Sequence, residues 1–414
     1  QIKDFESCAA ICKEFMYKYE EEISMLKAKD FENMSLHECR DFLEYSYKLT
    51  KDLSYDRFKY ALFPTMLVFD KYTKLLQRIN PKYTAFDLYK SLNNKTATVN
   101  TDISDMAEKI SKHSKLKEAI LSGDSYKNLY TKFDDFKTMA DRFLQNNGFK
   151  SDYNCYCLEA KTFIEDPDRL INILKPILLS ASNQNKNSEN FDDLMKELEV
   201  VCGGKYKSIK ADIQNFRYFH IVREESQYLW ESLFYYVRKC VLRANIILIE
   251  NEDYKSGIAN LFFNELIEVM NRGYLDKSDL KNIKNRNEKF PLSIKVWEAS
   301  KLLVFEAEGD ILKGVSGNFG KAVGRACIIH SPNEFYKMKK GDILVCHLTD
   351  PEWTPLFKLA SAVVADTGAA LSHAAIVARE YGIPAVLGVG FATTKYKDGD
   401  MIQVDGDKGT VRGL

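Results

Sequence analysis

The sequence predicts a multidomain chain, mostly α-helical over residues 1–290 and α/β over residues 311–414. Three observations carry this expectation. Only six of the 20 glycines, Gly123, Gly148, Gly203, Gly204, Gly257 and Gly273, precede residue 301; the other fourteen follow it. Glycine is costly inside a helix and useful in turns, so this asymmetry separates a helical part from a turn-rich one. Apolar residues recur at threes and fours in the first part and fall in short runs in the last. With 414 residues, 45% of them hydrophobic, the chain has apolar material for more than one core.

The elements follow in order. Over 9–26, Ala9, Cys12, Phe15, Met16, Tyr19, Ile23 and Leu26 make one helical stripe. Over 219–250, Phe219, Val222, Leu229, Leu233, Val237, Val241, Leu242 and Ile246 make a longer one. Such stripes pack helix on helix, with charged residues on the opposite, solvated faces. The polar, asparagine-rich stretch 181–191 reads as a surface loop. Residues 291–310 are expected to be a linker, because the Asn-Arg-Asn-Glu-Lys stretch at 285–289 and Pro291 disfavour a continuous helix. Beyond it, 322–329, 343–346, 362–365, 401–404 and 410–412 read as short strands. Helices are expected over 352–360 and 371–381; the second stops at Gly382 with Pro384 just beyond.

Charge and cysteine content exclude several function classes. Lys plus Arg and Asp plus Glu number 59 each, so no global field draws the chain to nucleic acid or an anionic membrane. No apolar run is long enough to span a bilayer, and the first residues lack the pattern of a secretory signal. Position 1 is Gln rather than Met, which leaves room for a segment upstream. The nine cysteines are odd in number and irregularly spaced, which points to a reducing cytoplasm rather than a disulfide framework. Cys155 and Cys157 lack the second pair a zinc site needs. Asp405, Gly406 and Asp407 read as a hairpin turn, without the further oxygen ligands of a calcium loop. No metal site is expected.

The chemistry concentrates in Asp366–Pro384, DTGAALSHAAIVAREYGIP. A strand should end near Thr367, Gly368 and Ala369 should turn, and His373 should lie in the first turn of the next helix. Unpaired N–H groups at a helix start hold phosphate oxygens. The positive end of the helix dipole disfavours imidazolium, which keeps the ring neutral and nucleophilic. Gly368, Ala369, Ala374 and Ala375 leave room for a bulky donor, and the hydroxyls of Thr367 and Ser372 add hydrogen bonds.

This stretch closely resembles the phosphohistidine mobile domain of the PEP-utilising enzymes: phosphoenolpyruvate synthase, pyruvate phosphate dikinase and rifampin phosphotransferase. That family has two glycines, a spacer, Ser or Thr, the histidine, an Ala-Ala-Ile-Val-Ala-Arg-Glu helix and Gly-Ile-Pro-Ala-Val. Here the second glycine is Ala369 and the rest is kept. Thr349–Phe357 (TDPEWTPLF), Gly314–Ala326 and the closing pattern from Gly399 to Val411 are also similar. The resemblance implies a swivelling domain over 311–414, with His373 as the phosphorylated residue. It implies phosphate contacts from Thr367, Gly368, Ser372 and Arg379.

The helical part is similar to the substrate domain of rifampin phosphotransferase at 88–110, at 141–153 with 163–170, and at 223–239. Where that family has Gly-His-Arg, this chain has Gly148, Phe149 and Lys150, and lysine cannot make the same planar bidentate contact. Lys150, Arg223 and Arg238 are the candidate substrate-binding residues. The resemblance implies charging by an ATP-grasp domain, on a partner or a missing segment, with Mg²⁺ and ATP; no cofactor is expected on this chain alone. It further implies transfer from His373 to a small-molecule acceptor in the helical domain. The alternatives are a non-catalytic phosphohistidine-regulated binding module and a protein-to-protein phosphocarrier.

Overall fold

The computed structural model describes residues 5–414 apart from 82, 90–91, 93–94, 152–157, 159, 180–190, 250–256, 303–310, 350–352 and 370–371. For 5–6, 95–98, 100 and 290–302 it describes the backbone alone. The Cys155/Cys157 pair and all of the expected loop at 181–191 except Phe191 lie outside the described residues.

The N-terminal region is helical, as its periodicity predicts. In chain order the helices are α1 (Phe5–Lys27), α2 (Leu36–Asp56), α3 (Phe63–Leu76), α4 (Lys95–Lys112), α5 (Ser114–Ser122) and α6 (Tyr126–Lys132). Then come α7 (Asp134–Asn147), α8 (Asp168–Leu179), α9 (Phe191–Cys202), α10 (Tyr206–Leu248), α11 (Phe263–Arg272) and α12 (Lys277–Leu302). The last is a correction. The helix runs through Pro291 to Leu302, across the first part of the expected linker at 291–310, whose remainder lies outside the described residues. Proline removes one backbone donor and strains one turn, a cost a long helix can absorb.

The chain forms two compact units, and neither is continuous in sequence. One comprises Gln1–Asn94, Phe149–Ala160 and Lys196–Trp297; the other comprises Lys95–Gly148, Lys161–Met195 and Glu298–Leu414. This grouping departs from a linear cut at 290–310, because α4 to α8 belong with the C-terminal sheet.

In the first unit, α10 is the organising element. Its 43 residues span about 64 Å at 1.5 Å per residue. It buries Phe219, Val222, Leu229 and Leu233 in one core with Phe15 and Tyr19 of α1 and Phe42 and Leu43 of α2. A π-helical turn, Arg57–Leu62, joins α2 to α3.

The second unit is built on an eight-stranded sheet. Its strands are β1 (Ile311–Lys313), β2 (Val315–Asn318), β3 (Lys321–Ile329), β4 (Ile343–Cys346), β5 (Ala362–Ala365), β6 (Ala385–Leu387), β7 (Met401–Asp405) and β8 (Thr410–Gly413). The order is β1-β8-β7-β3-β4-β5-β6-β2. β3 to β6 run parallel and the remaining pairs antiparallel. β1 and β2 are consecutive in sequence yet pair at opposite ends of the order, so the sheet curls round to meet one continuous segment. Gly314 sits at that join, where a Cβ would come 2.4 Å from the Leu387 carbonyl oxygen. Only glycine fits so close an approach. β1 and β6 have three residues each, too short for sequence periodicity to register, and β2, with Gly317 and Asn318, lacks the apolar run that marks β4 and β5.

Side chains alternate across the parallel strands, as a pleated sheet requires. Ala326, Ile328, Ile343, Val345, Ala362 and Val364 face one core with Val404 and Val411. Cys327, Ile329, Leu344, Cys346, Val363 and Ala365 face the other. That second core also takes in helices α13 (Thr354–Phe357), α14 (His373–Tyr381), Ile103 of α4, Phe143 of α7 and Leu174 of α8. The helix expected over 352–360 is thus a single turn, and the one expected from 371 begins at His373. A last short helix, α15 (Ala392–Lys395), lies against β4 and β5. Polar links tie the helices to the sheet domain: Lys358 Nζ donates to Ser104 Oγ at 2.9 Å, and Asn172 Nδ2 to Asn333 Oδ1 at 3.3 Å.

Candidate active site

Parallel strands end on one edge of the sheet, and that edge collects polar residues. His347 follows β4 directly, and Asp366 follows β5. Asp366 is buried and accepts from the backbone N–H of Thr393 at 3.2 Å and from the Thr393 hydroxyl. Its carboxylate lies 3.6 Å from His347 Nδ1. The Thr367 backbone N–H and hydroxyl both donate to the His347 carbonyl, each at 2.9 Å. The Thr367 side chain, expected to touch phosphate, therefore ties the segment after β5 to the segment after β4.

Gly368 adopts φ +118°, a conformation L side chains rarely take, and a Cβ there would approach Ser372 Oγ at 3.0 Å. Both facts hold the turn tight under the start of α14. Ser372 caps that helix with its backbone, while its hydroxyl bonds to no N–H of the first turn. The Ser372 oxygen is buried with no hydrogen-bond partner among the described residues. An unpaired buried hydroxyl is costly, and a phosphoryl oxygen is a group that would satisfy it.

His373 is the first residue of α14. The first intrahelical bond runs from Ile376 N–H to the Ser372 carbonyl, so the N–H groups of His373, Ala374 and Ala375 have no intrahelical acceptor. The ring is half-buried and held at both nitrogens: Thr349 Oγ1 lies 2.9 Å from Nδ1 and Thr354 Oγ1 3.3 Å from Nε2. The Phe357 ring meets it edge-on at 6.2 Å. Burial pushes the His373 pKa down from its usual 6.5 to about 3. The imidazole is therefore neutral at physiological pH, the form with a lone pair for attack.

Arg379 lies in the last turn of α14. Six residues along a helix place it about 9 Å from His373 along the axis, at the end where a cation complements the helix dipole. The structure does not bring it to the Ser372 hydroxyl.

Sequence reasoning missed the roles of Thr349, Thr354 and Phe357. All three lie in the TDPEWTPLF stretch, 16 to 24 residues upstream of the histidine. The available signals were the family resemblance of that stretch and the position of Thr349, just beyond a short apolar strand.

The three basic candidates of the first unit do not converge. Lys150 Nζ pairs with Glu231 Oε2 at 2.7 Å, and both side chains are largely buried, 11% and 19% exposed. The ammonium also lies 5.6 Å and 5.5 Å from the ring centres of Phe149 and Tyr228. Gln227 Nε2 donates to the other oxygen of Glu231 at 3.1 Å. Arg223 lies 3.7 Å from Glu224 Oε1, and Arg238 donates to the Leu158 carbonyl. Fifteen residues of α10 separate the two arginines, about 22 Å, too far for one small anion to meet both. Among the described residues, no group of three or more His, Cys, Asp or Glu side chains is placed to hold a metal ion.

With this geometry in hand, comparison with known proteins bears on two parts of the chain. Residues 338–409 match the family described as PEP-utilising enzyme, mobile domain. That segment of the chain is similar to a PEP-utilising mobile domain. Residues 58–224 match the rifampicin phosphotransferase fourth domain, which includes Lys150 and Arg223 but not Arg238. An uncharacterized phosphotransferase, YvkC of Bacillus subtilis, is 53% identical over 98 residues, 24% of this chain and 12% of its own. Phosphoenolpyruvate synthase of Aeropyrum pernix is 52% identical over 106 residues, 25% of this chain and 13% of its own. Chondramide synthase cmdD of Chondromyces crocatus is 47% identical over 98 residues, 2% of its length. The matched segment thus spans about an eighth of the first two relatives. A solution structure of Enzyme I covers 77% of each chain at 13% identity with a TM-score of 0.18, which carries no structural argument. No helix among the described residues is long and apolar enough to cross a membrane.

Proposed function

We propose that the chain is a phosphotransferase component that carries a phosphoryl group on His373. The observation behind this reading is the ring itself: a neutral imidazole at a helix start, clamped by two threonine hydroxyls, next to a buried serine hydroxyl with no partner among the described residues. Charging would come from an ATP-grasp domain or subunit with Mg²⁺ and ATP. A histidine nitrogen attacks phosphorus, the N–P bond forms, and the bond to the departing phosphate or nucleotide oxygen breaks. The Ser372 hydroxyl and the N–H groups of His373, Ala374 and Ala375 then face the transferred oxygens, and transfer depends mostly on such positioning and charge stabilisation. The acceptor would be a hydroxyl-bearing small molecule bound by the helical part, in a reducing cytoplasm.

The test is incubation of the full chain with Mg²⁺, ATP labelled at its β- and γ-phosphates, and a candidate ATP-grasp partner. Acid-labile phosphate on the wild type and none on His373→Ala is the expected result. Phosphate retained on His373→Ala would refute the assignment. The Lys150–Glu231 pair favours a second reading, in which the first unit binds no anionic acceptor and the phosphohistidine acts as a signal or passes its group to another protein. Transfer to a protein and none to small hydroxyl compounds would select that reading.

A further inference from the structure

Cys39 and Cys240 are 201 residues apart in sequence and meet in the core of the first unit. Cys240 lies on α10, which packs along α2, and its thiol donates to the Cys39 carbonyl at 3.3 Å. The same thiol hydrogen-bonds the Cys39 sulfur, and both residues are fully buried. Neighbouring sulfurs are ordinary in a core, and it is the surroundings that distinguish this pair. Cys39 is the fourth residue of α2, a helix start fixed by reciprocal capping bonds between Ser35 and Glu38. The positive end of the helix dipole favours a thiolate there. Arg243, one turn beyond Cys240, donates through Nε to the Met34 carbonyl at 2.9 Å, just before that start. The hydrogen bond from Cys240, with Arg243 and Lys29 nearby, holds the Cys39 thiol below the usual thiol range. That same bond, with burial, pushes the Cys240 thiol up. One sulfur is thus the better thiolate, and the other carries a proton to release. Elsewhere burial dominates and pushes the Cys12 and Cys327 thiols up to about 12. Access is one helical turn deep: His37 and Glu38 beside Cys39 are exposed, and a helix end opens locally at small cost.

We propose that Cys39 and Cys240 are a peroxide-reactive dithiol that closes into a disulfide between α2 and α10. The Cys39 thiolate attacks one oxygen of a hydroperoxide. The S–O bond forms, the O–O bond breaks, and the departing oxide takes up the proton that Cys39 had released. The Cys240 sulfur then attacks the Cys39 sulfur. The S–S bond forms, the S–O bond breaks, and the oxygen leaves as water with the Cys240 proton. With hydrogen peroxide, two thiols are oxidised by two electrons and two waters form. A dithiol reductant reverses the link by exchange. The bond ties the start of α2 to the helix that organises the first unit, and it needs nothing from His373.

The test treats the reduced full chain with hydrogen peroxide and follows each cysteine by alkylation and peptide mass. Cys39 and Cys240 should appear as one linked pair of peptides, lighter by two hydrogens, and dithiothreitol should restore both thiols. Cys39 should be consumed about tenfold faster than Cys12 or Cys327, the order expected for its larger thiolate fraction. In Cys240→Ser, Cys39 should stop at the sulfenic acid and be trapped by dimedone. In Cys39→Ser, Cys240 should remain a thiol. The linked wild type should unfold at higher urea than the reduced protein, because the closed loop restricts the unfolded chain. Cys39 and Cys240 left as thiols at a peroxide dose that oxidises the half-buried Cys202 would overturn the proposal, and so would a link that forms only after urea has unfolded the chain. The wild-type peptide masses decide this even if a serine variant fails to fold.

Discussion

Around His373 the polar contacts are neutral, two threonine hydroxyls and a serine with no partner among the described residues; around Lys150 they are ionic, with the ammonium paired to a carboxylate. The first arrangement leaves hydrogen-bonding capacity for a group that arrives. The second already has its charge matched, since Glu231 takes both the ammonium and the Gln227 amide. His373 begins a helix and Lys150 lies just beyond the end of α7, and both were marked by residue type in the sequence. Readiness for a ligand is therefore a matter of which polar atoms the fold leaves unpaired, and residue type alone does not report it. An unpaired atom is not sufficient by itself, since Nδ1 of His220 in α10 is also buried with no hydrogen-bond partner among the described residues. Burial lowers its pKa to about 3, as for His373, yet it stacks on Tyr89 at 3.8 Å, packed against an aromatic ring rather than set at a helix start.

The comparison can be broken first through the packing beneath the histidine. Leu174 of α8 is fully buried in the core shared with the sheet. Leu174→Ala should cost about 2–5 kcal/mol, and amide exchange should quicken in β4 and β5 as well as in α8. Unchanged protection of the strands would show that α4 to α8 and the sheet unfold separately.

The charged site should respond less strongly. Lys150→Met leaves the half-buried Glu231 without its cation and should destabilise the first unit by about 1–3 kcal/mol. Adding Glu231→Gln should recover about 1 kcal/mol or more, measured as a double-mutant cycle in urea. A coupling of zero would mean that the pair is not closed and that Lys150 remains open to an acceptor.

Ser372→Ala sharpens the contrast from the other side. Folding stability should hold or rise, because a buried hydroxyl without a partner is removed. Charging of His373 should slow about tenfold if that hydroxyl bonds a phosphoryl oxygen. A loss of stability with an unchanged rate would make Ser372 a packing residue.

The last effect is a pH dependence. The unfolded chain protonates its histidines near 6.5, whereas folded His373 and His220 do so only near 3. Between those values the unfolded state holds more protons, so stability falls as pH drops from about 6.5 toward 3. The same shift predicts a charging rate with no inflection near pH 6.5. A histidine ring signal for residue 373 that titrates near 6.5 would show the ring to be solvated.

Much of the second unit was legible in advance. The runs at 322–329, 343–346 and 362–365 are strands because short apolar segments bounded by turn residues have few other ways to bury themselves. The glycine asymmetry located the change of fold class, and Gly382 with Pro384 fixed the end of α14. The Asp366–Pro384 motif placed His373 at a helix start without reference to any contact. Those features are local, and local chemistry decides them.

Tertiary structure decided the rest. That α4 to α8 share a core with the sheet rather than with α10 follows from which amphipathic faces match, and a stripe of apolar residues does not name its partner. That Thr349 and Thr354 meet the ring from 24 and 19 residues upstream depends on β4 and β5 lying side by side in parallel, which brings the loops after each strand to one edge. That Lys150 is spent on Glu231 depends on a helix turn 81 residues away. The sequence alone determined His373 and the helix that presents it, because both arise from neighbours along the chain. The partners of that ring, and the pairing of Lys150 with Glu231, were set by long-range packing, where side chains distant in sequence compete for the same few polar atoms.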